Sequence, residues 1–412
     1  MSKKSSQDEK LPRCIRFLDN SSSNTKKAYF QSIRKYEEFH GIELEALMNE
    51  ALDEQTNQVP SHLLKVIDRL EDFQESLIEE DLVIGTIKSH MTRIKSIYHK
   101  NRIDVPYIEP VNVKRAKRRE YIEYKDVLTK EELRCALRHM RLPAQARAMV
   151  MIQGGLSNKE CEQLKTRTFI DETRKYHQCN NDMDALEWLS DETNPIIWVT
   201  KLIRVKTGKP YYAIIGAEAV NKIADAKLYE MQLPKNKGQI PDKLLDTNIR
   251  GFGETCRTVN RKCGFGLVAE ESKLRPHNLR RFHATYIRGG VLSYEEKSQI
   301  SLAEIDEMQG RGKTSVQDTY IKSNPLEQKL IYAKVMNNVS LWNEYEYEIT
   351  DDDVIIRVKD QQLENKKLKK EVDDLTKKLE NKKRASAKVN ALRNELGEDV
   401  FKEMINEILS GE

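Results

Sequence analysis

The chain has 412 residues, enough for two or three domains. Charged residues make up 33% of it, 70 basic against 66 acidic, giving a formal net charge of +4, and apolar residues make up 38%. No run approaches the ~18 consecutive apolar residues of a spanning helix, which excludes helical membrane insertion. The polar start, Met-Ser-Lys-Lys-Ser-Ser-Gln-Asp-Glu-Lys, holds no apolar signal core, so a cytoplasmic protein is expected. Six cysteines at 14, 135, 161, 179, 256 and 263 form no CxxC pair. That scatter predicts reduced thiols, with no disulfide framework and no metal site.

Residues 1–15 are polar and expected to form a flexible tail. A helical domain is predicted over 16–108. Ser23-Asn24-Thr25 offers N-capping side chains, and Tyr29, Ile33 and Tyr36 follow on one helix face. Leu63, Leu64, Ile67, Leu70 and Phe73 make a second apolar face. Thr86 is a cap for a further helix carrying Ile87, Met91, Ile94 and Ile97/Tyr98, with Lys88, Arg93 and Lys95 on its polar side. No strand-like alternation occurs, so roughly four helices are expected here.

Pro106 and Pro110 then break regular structure. The stretch Val111–Arg119 has five basic residues in nine and no acidic one: Lys114, Arg115, Lys117, Arg118 and Arg119. Residues 109–126 are read as a basic inter-domain linker, a pattern that suits a polyanion. A second domain is predicted over 127–342. It begins with a capping box, Thr129 to Glu132. The segment Ile196–Ile215 is β-branched and aromatic around a turn at Gly208, so it predicts an antiparallel pair of strands. Helical patterns resume afterwards. The fold class is therefore mainly α with one small antiparallel β-sheet.

The tail, 343–412, differs. Val354, Val358, Leu368, Val372, Leu375 and Leu379 fit a heptad register, with Gln361 and Asn365 in the remaining seam positions. A C-terminal coiled coil that joins protomers is expected. Val400–Leu409 reads as a short amphipathic helix.

The most informative segment is Arg275-Pro-His-Asn-Leu-Arg-Arg-Phe-His-Ala-Thr285. His277 and Arg280, three apart, share one helix face, while Leu279, Phe282 and Tyr286 form the core side. An Arg beside a His suits an anion, because a guanidinium gives paired contacts to phosphate. About thirty residues later comes Met308-Gln-Gly-Arg-Gly-Lys-Thr-Ser-Val-Gln-Asp-Thr-Tyr320-Ile-Lys.

This ordered set resembles the tyrosine recombinase, or phage integrase, family over about residues 16–342. The run Tyr320-Ile-Lys-Ser-Asn-Pro325 to Tyr332 is similar to archaeal members. The resemblance implies a helical core-binding domain, an α+β catalytic domain and site-specific cleavage and rejoining of DNA strands through a 3′-phosphotyrosine link. It implies Tyr320 as nucleophile, Arg280 as the second catalytic arginine and His277 as an acid/base. Lys206, in Val205-Lys206-Thr207-Gly208, is implied as proton donor to the leaving 5′-oxygen, with Lys209 as fallback. No cofactor or metal is implied. The implied partner is double-stranded DNA, bound by Lys88, Arg93 and the linker cations, with two protomers on a site and four in a synapse. That reading places the protein at the nucleoid. A phenol of pKa ~10 needs help to ionise, and arginines stabilise the charge that grows on the phosphoryl oxygens.

Two positions depart from the family pattern. Arg311 stands where a histidine or tryptophan is usual, nine residues before Tyr320, and an arginine there can still donate to a phosphate. Ser157 stands in Gly155-Leu156-Ser157-Asn158-Lys159-Glu160 where the first arginine is expected. Loss of such a donor costs on the order of 10²–10³ in rate. Arg204, two residues before Lys206 and in phase with it on one strand, is a candidate substitute. Two other functions fit the same residues: a DNA-binding protein that has lost catalysis with its first arginine, and a relaxing type IB topoisomerase.

Overall fold

A computed structural model describes residues 12–112, 114–117, 122–289, 300–311, 324–350 and 352–359. It is mainly helical, with small antiparallel sheets. The chain divides into two compact units between residues 121 and 122. No helix among the described residues is long and apolar enough to cross a membrane.

The first unit holds α1 (Ser23–His40), α2 (Leu44–Thr56), α3 (Lys65–Glu79) and α4 (Ile84–Lys100). The cap of α1 is Ser22, whose Oγ accepts the Thr25 N–H at 3.2 Å, and Gly41 ends the helix at φ 65°. Ile33 and Tyr36 pack with Leu47, Leu70, Phe73, Leu77, Ile87 and Ile94. At the centre the buried Tyr36 and Tyr98 hydroxyls meet at 3.1 Å. Two expectations are corrected. Leu63 lies exposed in a 3-10 turn before α3, and Thr86 caps nothing, because α4 already starts at Ile84. The Ile84 N–H instead donates to the Lys117 carbonyl at 2.9 Å.

Lys117 lies in the stretch 109–126 that the sequence reads as linker, yet the described residues just before it pack on the first unit. Ile103, Ile108, Val111 and Ala116 are buried in the first unit's core. Gln74 Nε2 donates to the Glu109 carbonyl at 3.1 Å. Val111 and Ala116 thus anchor the described part of the basic run to this core, and Lys114, Arg115 and Lys117 are exposed.

The second unit opens with the capping box: Glu132 N–H donates to Thr129 Oγ1 at 3.2 Å and Thr129 N–H to Glu132 Oε2 at 2.9 Å. It starts α5 (Lys130–Arg138), followed by α6 (Leu142–Gly154), α7 (Thr166–His177) and α8 (Asp182–Ser190). Strands β1 (Trp198–Ile203) and β2 (Pro210–Ile215) pair antiparallel, Trp198 opposite Ile215 and Ile203 opposite Pro210. Then come α9 (Ala217–Met231), α10 (Ile249–Cys263), the short pair β3 (Leu267–Val268) and β4 (Glu271–Ser272), α11 (Pro276–Tyr286), α12 (Leu302–Met308) and α13 (Pro325–Val339). Helix α6 is buried along almost its whole length and carries the core.

The unit continues past 342, with β5 (Tyr345–Ile349) and β6 (Val354–Val358) in a third antiparallel pair. Val354 and Val358 are therefore strand residues and not the first turns of a coiled coil. Val354, Ile356 and Val358 alternate inward and join the core. The rest of the expected heptads, from Gln361 on, and the Val400–Leu409 segment lie outside the described residues. Two carboxylates fasten this region, the buried Glu218 and the half-buried Asp353. Glu218 accepts the backbone N–H groups of Leu341, Trp342 and Asn343 at 2.7, 2.7 and 2.8 Å. Asp353 pairs with Lys175 and with Lys329, and accepts the Tyr176 hydroxyl at 2.8 Å.

Burial alone would raise the Asp353 carboxyl, but the Lys175, Lys329 and Tyr176 donors outweigh it and hold it at about 2. A depressed carboxyl pKa stabilises the fold above its unfolded value and loses that contribution as pH falls through the folded value. Asp353→Asn is expected to cost about 2 kcal/mol of unfolding free energy at neutral pH. In chemical denaturation the gap from wild type should be constant above about pH 5 and shrink below about pH 4.

Candidate functional site

The site is built where α6 stops. Gly155 takes φ 63° and lies flat on His283, whose ring carbon would stand 2.5 Å from any added Cβ. His283 is fully buried on α11 and its Nδ1 donates to the Ile152 carbonyl at 3.1 Å. Burial pushes its pKa down to about 4, so the ring is neutral and locks the end of α6 to α11. Leu156 then enters the core, and Ser157 starts a 3-10 turn over Glu160–Gln163. Ser157 N–H donates to Glu160 Oε2 at 2.8 Å, and Glu160 N–H donates to Ser157 Oγ at 3.3 Å. The serine thus does local capping work and fixes the Glu160 carboxylate in place.

Glu160 is completely buried, so its charge requires partners. It has two. Arg204 Nη1 donates to Oε1, and Arg280 Nη1 donates to Oε2 at 3.3 Å. Arg280 also donates through Nη2 to the Gln309 carbonyl at 2.6 Å. The two guanidiniums, 76 positions apart in the chain, therefore face one another across a single carboxylate. Each carries five N–H donors, and those contacts leave several N–H directions on each.

Arg280 is held below the usual arginine range, at about 10, first by burial and then by the Arg204 charge, with Glu160 pulling the other way. It remains cationic at neutral pH. His277 lies exposed at the N-terminal end of α11. Its pKa is lowered by desolvation and then by Arg281, Arg275, Arg280 and Arg311, so the neutral ring dominates at pH 7. Arg311 is exposed just past α12 and pairs with Asp306 at 3.3 Å. Between these two elements Gly310 adopts φ 62° against the face of Tyr211, which would stand 2.8 Å from an added Cβ. Tyr211 is buried and its hydroxyl has no hydrogen-bond partner among the described residues. Burial and the Glu160 charge raise its pKa well above normal.

The structure therefore brings Arg204, Arg280, His277 and Arg311 into one electropositive region around Glu160. It corrects the route by which Arg204 arrives. Strand β1 ends at Ile203, and Arg204 begins the turn: its N–H donates to the Lys209 carbonyl at 2.7 Å, and its carbonyl accepts the Gly208 N–H at 2.8 Å. Gly208 closes that turn at φ 70°. Lys206 sits exposed within the turn, so strand alternation does not relate it to Arg204. Tyr320 lies outside the described residues. Glu160, Gln309, Tyr211 and His283 were not singled out from sequence. Only Glu160 left a signal, the sixth position of the Gly155-Leu156 motif.

In the first unit, Lys88 and Lys114 are exposed, and Arg93 donates to Ser32 Oγ at 3.2 Å. Arg115 pairs with Glu75 at 2.7 Å and Lys117 with Asp81 at 3.5 Å. Arg118 and Arg119 lie outside the described residues. Cys135 and Cys263, distant in sequence, meet with Sγ atoms 3.5 Å apart.

No protein-family profile and no curated protein matches the chain. Solved structures do. The XerA recombinase is 16% identical, covering 78% of this chain and 95% of that one, with a TM-score of 0.31. The XerH site-specific recombinase, bound to its difH substrate in a pre-cleavage complex, is 15% identical over 77% of this chain and 80% of that one, with a TM-score of 0.42. The Tn1549 transposon integrase, in complex with transposon right end DNA, is 13% identical over 75% of this chain and 93% of that one, with a TM-score of 0.44. At these scores the likenesses assign no residue a role, and the chemistry rests on the side chains of this chain.

Proposed function

We propose that the protein is a tyrosine-type DNA strand transferase, a site-specific recombinase or integrase. The observation that carries this reading is the pair of guanidiniums, Arg204 and Arg280, fixed on the buried Glu160. A phosphodiester in transfer needs donors set in place before charge develops on its non-bridging oxygens. Two arginines locked by one carboxylate meet that need, with Arg311 and neutral His277 beside them. Ser157 leaves the first-arginine position empty of charge, and Arg204 supplies that charge from the β1–β2 turn.

In this mechanism the Tyr320 phenol gives its proton to the neutral His277 ring and its oxygen attacks phosphorus, the bond to the 5′-oxygen breaks and a 3′-phosphotyrosine ester forms. Lys206 gives the leaving 5′-oxygen its proton. The 5′-hydroxyl of a partner strand reverses the step, so bond energy is conserved. Lys88, Arg93 and the cations of 114–119 contact the backbone of the duplex, and binding weakens as salt rises. Protomers pair on each site, joined through the C-terminal tail, and four make the synapse. The competing reading is a DNA-binding protein that has lost catalysis, and Ser157 is the residue that favours it.

Covalent capture separates the two. Nicked duplexes drawn from the DNA flanking the gene should yield a protein–DNA adduct on a denaturing gel, and Tyr320→Phe should abolish it while leaving mobility-shift binding intact. Salt-sensitive binding without an adduct in the wild type would establish the non-catalytic reading instead. Glu160→Gln should leave two facing guanidiniums without their counter-charge. We expect a loss of about 3 kcal/mol in unfolding free energy, and a fall in adduct yield in the variant that remains folded.

A further inference from the structure

We propose that Cys135, His139 and Cys263 form a binding site for a thiophilic divalent cation of the zinc type, which staples α5 to α10. The three residues share nothing with the arginine cluster. One ligand atom from each lies within 4.8 Å of the other two. Cys135 and His139 are four apart at the end of α5 and so project from the same side. Cys263 is the last residue of α10, which Gly264 ends at φ 67°.

The chemistry of this donor set is specific. Two sulfurs and one imidazole are soft and borderline ligands, which favour zinc over magnesium or calcium. A tetrahedral zinc at its usual Zn–S distance of ~2.3 Å sets two sulfurs ~3.8 Å apart. The Cys135–Cys263 separation of 3.5 Å is close to that spacing. A disulfide would use the sulfurs alone and give His139 no part, whereas a metal uses all three. The setting also favours positive charge. The C-terminal ends of α5 and α10 both close here, at His139 and Gly264, and helix C-termini carry partial negative charge. Both cysteines are half-buried and His139 is exposed, so a cation reaches the site and a water completes its fourth position. The balance is simple: two thiols give up their protons, and the zinc gains two thiolates, one imidazole nitrogen and one water, with no change of oxidation state.

The test uses the full-length protein, stripped with a chelator and kept reduced by a phosphine. Titration with Co²⁺ should saturate at one equivalent, with a thiolate-to-cobalt charge-transfer band and the visible intensity of a tetrahedral centre. Zn²⁺ should displace it, and about two protons should be released per zinc bound in weak buffer. Cys135→Ser, Cys263→Ser and His139→Asn should each weaken zinc binding by more than about tenfold, whereas Cys179→Ser should leave it unchanged. Far-UV circular dichroism verifies that each variant is folded. The proposal is overturned by the absence of a thiolate–cobalt band. It is equally overturned by a band that survives both serine variants, or by a zinc affinity that Cys135→Ser, Cys263→Ser and His139→Asn leave unchanged.

Discussion

The second unit is organised around one buried carboxylate. A charge with the full burial of Glu160 is tolerated only with close counter-charges and satisfied lone pairs. Ser157 N–H, Arg204 and Arg280 meet that requirement from three different parts of the chain. The consequence runs outward. Arg280 must reach Glu160 from α11, so α11 must lie against the end of α6, and the Gly155–His283 contact permits that approach. Arg204 must reach it from the opposite side, so β1 must end and turn at that point. Gly310 lies flat against Tyr211, and the neighbouring Gln309 carbonyl accepts from Arg280.

Such an arrangement is a poor choice for stability alone. Buried ion networks are often matched or bettered by apolar packing of the same volume. Under the proposed strand-transfer function its merit is preorganisation: guanidiniums oriented before a phosphate arrives leave little reorganisation for the reaction step. On the same proposal a serine is tolerated where the family resemblance expects an arginine, because Arg204 brings a second cation beside Arg280 and Glu160 from the β1–β2 turn. Ser157 keeps the local duty of that position, capping the turn that carries Glu160.

Much of the fold was legible in sequence wherever the signal was local. Thr129 and Glu132 specified a capping box by spacing, and β1 and β2 followed from β-branched runs on either side of Gly208. Errors arose where two periods coincide. Val354 and Val358 are four apart, which suits both a helix and an alternating strand. The β-branched Val354, Ile355 and Ile356, after a Thr–Asp turn, favour the strand. Long-range pairings were out of reach. Nothing in sequence links Arg204 to Glu160, 44 positions away, or Cys135 to Cys263, 128 positions away. The site was therefore legible as a set of residue types and only in part as a geometry. Arg204 was picked out by its phase with Lys206, yet a turn and a buried glutamate place it.

The central claim is that Arg204 supplies the charge missing at Ser157. The most direct measurement compares the rate of adduct formation on a nicked duplex for four proteins: wild type, Arg204→Ala, Ser157→Arg and the double variant. The account predicts a fall of about 10²–10³ for Arg204→Ala, and recovery of much of that loss when Ser157→Arg is added. Wild-type rates in Arg204→Ala would contradict it, because a guanidinium that stabilises the transferring phosphoryl group cannot be removed without cost.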